Sequence, residues 1–176
     1  MKTFWCITLL AALFGLTPVA HAGNSDVDIT CTAKKTDDGD AGGDKNEGGV
    51  SSSSEKWGYA VTIENKAFNA LTNLEVKYVI FYKQEQIGSK GAARVQRLSG
   101  SNTINTILPH EKGSFTSDSV ELKKSVLNGN YIFSNGGKPK SEDTLTGIWI
   151  RIYQNGNLFA EFIKPPSLSN KEKFDG

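Results

Sequence analysis

Apolar residues in the body of this chain return at every second position and not at helical spacing, and that constrains the fold more than any other feature. Trp57, Tyr59, Val61 and Ile63 alternate with small or polar residues, and Leu74, Val76, Tyr78, Ile80 and Tyr82 alternate with Glu75, Lys77, Val79, Phe81 and Lys83. A period of two sends successive side chains to opposite faces of a strand, whereas a helix brings apolar positions back every three or four residues. Residues 123–127, closed by Asn128-Gly129, read as a single helical turn, and nothing longer has a helical period. The second face of residues 74–83 turns apolar at Val79 and Phe81, as a central strand requires.

Further strands are expected at residues 24–33, where Val27, Ile29, Cys31 and Ala33 alternate with polar residues, and at 93–98, 103–108 and 114–122. The strongest local signal is a hairpin of residues 145–154 and 158–164 around Asn155-Gly156, a pair that readily adopts the positive φ of a tight turn. Pro165-Pro166 ends the pairing, because proline cannot donate a ladder hydrogen bond. Seven or eight strands separated by turn signals predict an all-β chain, an antiparallel sandwich of immunoglobulin or fibronectin type.

At the N-terminus, Lys2, an apolar run from Phe4 to Leu16, and Ala20-His21-Ala22 after Pro18 have the three parts of a cleavable signal peptide, residues 1–22. The run is shorter than the roughly 20 residues of a membrane span, so no span is expected after cleavage. Export is expected, and the lack of a second cysteine and of any Asn-x-Ser/Thr sequon after residue 22 favours a bacterial periplasm or cell exterior over a eukaryotic secretory route. Residues 23–176 make one domain, with only Cys31 left as a thiol, so no internal disulfide is expected and Cys31 reads as a small buried hydrophobe. Residues 36–54, with five acids and no aromatic, read as a flexible acidic, Gly- and Ser-rich insertion. Charge is split: residues 23–55 hold eight acids against three lysines, and the remainder holds sixteen bases against eleven acids. The bases are interleaved with acids, and no nucleic-acid partner is expected.

Val61-x-Ile63-x-Asn65 followed by Leu71-x-x-Leu74-x-Val76-x-Tyr78-x-Ile80-x-Tyr82 resembles bacterial extracytoplasmic immunoglobulin-like domains of the FxLYD kind. The run from Leu108 to Phe115 is similar to the proline-containing turn before a later strand of such domains, with Lys112-Gly113 where they have Pro-Gly. The resemblance covers about a third of the chain, and the long acidic insertion departs from it. It implies an accessory or interaction module and no catalytic residues.

The residues themselves lead the same way. His110 is the one histidine after cleavage, in a turn beside Pro109, which leaves no Ser-His-Asp, Cys-His or Cys/His zinc constellation to assemble and makes it a solvated turn residue. Glu64, Glu75 and Glu161 lie on strands, but nothing in the sequence sets two of them at a glycosidase separation. The acidic run from Asp37 to Asp44 lacks the spacing of a calcium loop. No catalytic, metal or cofactor site is therefore expected. The candidate binding residues are Trp149, Arg151 and Tyr153, one face of a strand whose other face is Ile148, Ile150 and Ile152. With the isoleucines inward, the three form an aromatic and cationic outer stripe suited to a glycan or protein partner. The alternative has Trp149 in the core. A two-residue turn pairs Tyr153 with Leu158 and Ile152 with Phe159, which puts Arg151 and Glu161 on opposite faces. Arg151, in the more central strand, is then the charge expected to point outward.

Overall fold

The computed structural model describes residues 26–36, 45–47, 49–129 and 132–176. The expected signal peptide at 1–22 lies outside them, as do residues 37–44 and 48 of the expected insertion. The described chain is all-β: β1 (Val27–Lys35), β2 (Lys45–Glu47), β3 (Val50–Asn65), β4 (Leu71–Gln84), β5 (Arg94–Ile107), β6 (Lys112–Thr116), β7 (Val120–Leu127), β8 (Lys140–Glu142), β9 (Thr144–Gln154) and β10 (Asn157–Lys164), then a 3-10 turn at Pro166–Asn170. Setting aside the three-residue β2 and β8, eight strands remain, the upper end of the expected number.

All pairings are antiparallel and form two sheets. In the first sheet the order is β1-β3-β7-β8, with β2 and β6 also on β3; in the second it is β10-β9-β4-β5. The faces that meet are those marked by the alternation. Ile29, Cys31, Tyr59, Val61 and Ile63 from one sheet join Leu74, Val76, Tyr78, Ile80, Ile148, Ile150 and Ile152 from the other in one buried cluster. Burying such side chains contributes about 1.5–3 kcal/mol each before the entropy of ordering the chain is subtracted.

Long β3 crosses two partners on one edge, pairing with β7 along Val50–Trp57 and with β6 along Ala60–Glu64. Between β6 and β7 the chain steps aside at Ser117, whose Oγ accepts the Tyr59 N–H at 2.8 Å and so satisfies a donor the ladder leaves over.

Two expectations are corrected here. Residues 50–54 are not part of a flexible insertion: they pair with β7, Ser52 Oγ lying 2.9 Å from Ser125 Oγ. Serine has little strand preference of its own, so its state is set by the strand beside it. Residues 123–127 likewise belong to β7 and form no helical turn.

Candidate functional site

The hairpin of β9 and β10 turns at Asn155-Gly156 with φ of 51° and 79°, the left-handed pair the sequence signals. Tyr153 pairs with Leu158 as expected. The register then shifts, so that Ile152 pairs with Ala160 and Arg151 with Glu161. Phe159 is the extra residue of a β-bulge; it and Ala160 both pack toward the core. One inserted residue exchanges the faces of everything after it. Arg151 and Glu161 therefore do not lie on opposite faces: Arg151 Nε donates to Glu161 Oε1 at 2.6 Å, and Trp149 Nε1 donates to the same oxygen at 2.9 Å. The conflict between one inward and one outward charge disappears.

Ile148, Ile150 and Ile152 face the core and are fully buried, so Trp149, Arg151 and Tyr153 do form an outer stripe. The stripe is not open along its length. Trp149 is only 8% exposed because the residues after β10 fold back over it, joining Val79, Phe81 and Leu168 in a second apolar cluster with Ile163 and Phe174 at its margin. Phe174 meets Trp149 edge-on with ring centroids 5.9 Å apart, and the Arg151 guanidinium lies 4.4 Å from the Phe174 centroid. Trp149 is thus not available as a stacking platform in this arrangement. Tyr153 stays half-buried, with Lys77 Nζ 5.6 Å from its ring centroid.

The other sequence candidates remain apart. His110 sits in the turn after β5 with φ of 61°, its N–H donating to the Asn65 carbonyl at 2.9 Å and its ring meeting Phe68 edge-on at 5.4 Å. Each carboxylate has a cation of its own: Glu64 has Lys66 at 2.6 Å, Glu75 has Lys77 at 3.8 Å and Glu161 has Arg151. The hydrogen bond from Lys66 holds the Glu64 carboxyl below the usual range. Burial pushes the Cys31 thiol up to about 12, which nearby Lys164 only partly opposes, so it is an inert thiol at neutral pH. Among the described residues no group of three or more His, Cys, Asp or Glu is arranged to hold a metal, and no helix is long and apolar enough to cross a membrane. The acidic run 37–44 lies outside the described residues.

A cleft that the sequence did not signal opens where the ends of β4 and β5 splay from β7 and β8, with a volume of about 690 Å³. Asp143, the corner between β8 and β9, lies in its lining. Its Oδ1 accepts the Glu85 N–H at 2.9 Å and its Oδ2 accepts the Lys123 N–H at 3.0 Å, which ties the end of β4 to β7. The wall is a pair of zipped loops: Gly88 N donates to Lys138 O at 2.9 Å, Lys138 N to Ser89 O at 3.3 Å, and Asn135 Nδ2 to Gly88 O at 3.0 Å. Glycine is required at 137, since a Cβ there would stand 1.8 Å from the Gly88 oxygen. Tyr82 provides an aromatic surface, and Gln84, Gln86 and Gln96 provide amides. The charges balance, with Arg94, Lys123 and Lys138 against Glu85, Glu121 and Asp143. No local pattern announces such a site, because its residues come from four strands and three of the connections between strands.

No family model and no curated protein matches the chain. Solved structures with partial likeness include the structural-genomics target SoR45 (TM-score 0.36, 13% identity, covering 86% of this chain and 96% of that one). Others are a target from Bordetella pertussis that carries the ApaA name (0.35, 14%, 78% and 91%) and a structure from Akkermansia muciniphila (0.31, 8%, 88% and 81%). At these TM-scores and identities they decide nothing about function.

Proposed function

We propose that this chain is an exported, non-enzymatic β-sandwich binding module of the periplasm or cell exterior, and that its ligand enters the cleft between the sheet ends. The cleft carries this reading. It has the size range of small-ligand sites, two sheets and two zipped loops hold its walls, and its polar groups converge on one space.

The lining favours an uncharged, hydroxyl-rich ligand, which makes a glycan the ligand class and moves the carbohydrate reading from the Trp149 stripe to Tyr82. Three cations against three anions leave no net charge to draw in a polyanion. Amides and carboxylates present both donors and acceptors, as sugar hydroxyls do, and a tyrosine ring suits the apolar face of a pyranose. His110, beyond the far end of β5 from Arg94, supplies no imidazole to this space.

A glycan array probed with the purified chain, followed by titration of any hit against Tyr82→Ala, tests the reading. The expected result is a restricted set of glycans whose affinity falls at least about tenfold in the variant, the loss of one aromatic contact of about 1.4 kcal/mol. Uniform lack of binding, or binding indifferent to Tyr82, overturns the glycan assignment.

A further inference from the structure

The strap that covers Trp149 meets the sheet chiefly through its side chains. After β10 the chain turns at Pro165, forms the 3-10 turn Pro166–Asn170, and runs to Gly176 over the outer face of the second sheet. Its backbone hydrogen bonds are with itself: Leu168 N to Pro165 O, and Lys171 N and Glu172 N to Leu168 O. No backbone–backbone bond joins residues 166–176 to the sheet among the described residues, and the one bond to the strap's main chain comes from a side chain, Ser99 Oγ donating to the Asp175 carbonyl at 3.5 Å. Side chains carry most of the contact.

Those contacts define a recognition surface. Gly147 on β9 is a notch, since a Cβ there would stand 2.4 Å from the Lys164 oxygen of β10, 2.9 Å from Pro165 Cδ and 3.1 Å from Leu168 Cδ2. Beside the notch, Trp149 and the Arg151 guanidinium receive the Phe174 ring. Farther across, on β5, Arg97 takes two carboxylates: Nη2 donates to Glu172 Oε2 at 2.7 Å, and Nη1 donates to Asp175 Oδ2. Notch, aromatic wall and two cations are all on rigid strands, while the occupant is an unpaired segment.

We infer that the outer face of the second sheet is a peptide-docking surface for a partner segment bearing an aromatic residue with one carboxylate two positions before it and one directly after it, as Glu172, Phe174 and Asp175 stand here, and that residues 166–176 occupy it in cis as an exchangeable cover. The inference stands apart from the cleft and does not depend on it. Charge complementarity selects the occupant: Arg97 takes both carboxylates of the cover, while Arg151, already paired with Glu161, offers its guanidinium to the aromatic ring, and the cover itself shows the chemistry the surface accepts. A tethered cover competes at a high effective concentration, of millimolar order for a short link, so an outside peptide binds well only when the cover is weakened.

The test uses the full chain carrying Phe174→Ser and Asp175→Lys together, which weakens the cover and leaves the receiving residues intact. The probe is a fluorescent synthetic peptide with the sequence of residues 166–176, read by anisotropy, beside a version with its acids replaced by lysines. At least tenfold tighter binding of the native-sequence peptide to the variant than to the parent is expected. Adding Arg97→Glu abolishes that gain, and the lysine peptide does not bind. Equal binding to parent and variant, or binding indifferent to Arg97, overturns the inference. Loss of the β-sheet circular dichroism signal in the variant also overturns it, by making residues 166–176 an obligatory part of the fold. So does concentration-dependent dimerisation of the variant, which would make a second copy the occupant.

Discussion

Asn65 is the side chain whose removal this structure predicts most sharply. It is fully buried at the end of β3, and its amide joins two turns that are forty residues apart in sequence. Nδ2 donates to the carbonyls of Asn69 at 2.8 Å, Ile107 at 3.1 Å and Leu108 at 3.2 Å, while Oδ1 accepts the Ala67 N–H at 2.9 Å. In Asn65→Ala the carbonyls of Asn69 and Leu108, both on exposed residues, can turn to water. The Ile107 carbonyl, on a residue only 2% exposed, cannot. One stranded buried group costs about 1–3 kcal/mol, and the remaining lost bonds add about 1 kcal/mol, so the expected loss is about 2–4 kcal/mol. For a domain of this size that lowers the melting temperature by roughly 6–12 °C. Urea unfolding followed by circular dichroism should show a lower midpoint at unchanged slope. Asn65→Asp keeps the shape but turns donors into acceptors facing three carbonyls. Burial and those dipoles raise the folded-state pKa of the new acid, so its folded form is best tolerated below the unfolded carboxyl pKa and is lost as pH rises. The aspartate variant should therefore be closer to the parent at pH 4 than at pH 7. A loss below about 1 kcal/mol for Asn65→Ala, or no pH dependence in the gap for Asn65→Asp, would refute the role given to this amide.

Gly137→Ala should separate the loops that wall the cleft, because its Cβ cannot share space with the Gly88 oxygen. Proteolysis within residues 85–93 should quicken and any cleft ligand should bind more weakly, while the Trp149 cluster stays intact; unchanged cleavage would count against the zipped-loop wall. Burial pushes both the Cys31 thiol and the Tyr59 phenol up to about 12. Both folded pKa values are raised, so their contribution to stability is complete below the unfolded values near 9 and 10 and drains away as pH climbs toward 12. Stability should fall above about pH 9, less so in Tyr59→Phe, and Cys31 should react with a thiol reagent at pH 8 only once the chain is unfolded.

Where a residue's neighbours follow from its own periodicity, the sequence was sufficient. Tyr59, Val61 and Ile63, Leu74 to Ile80 at alternate positions, and Ile148, Ile150 and Ile152 all face the core the alternation assigns them, and Asn155-Gly156 makes the turn its chemistry allows. These outcomes rest on local rules: pleat, hydrophobic burial and turn conformation. Tertiary structure decided whatever depended on a distant partner. Residues 50–54 became strand because β7 lies beside them, and Phe159 became a bulge because the core takes both it and Ala160. That one extra residue brought Glu161 to Arg151, which no turn rule foretells. Trp149 lost its exposure to residues 166–176, a segment with no period to read, and the cleft arose from loops whose lining meets only after both sheets have formed. A strand pattern records which face a side chain takes; it does not record what later comes to rest on that face, because such contacts are set by packing between parts of the chain that share no local signal.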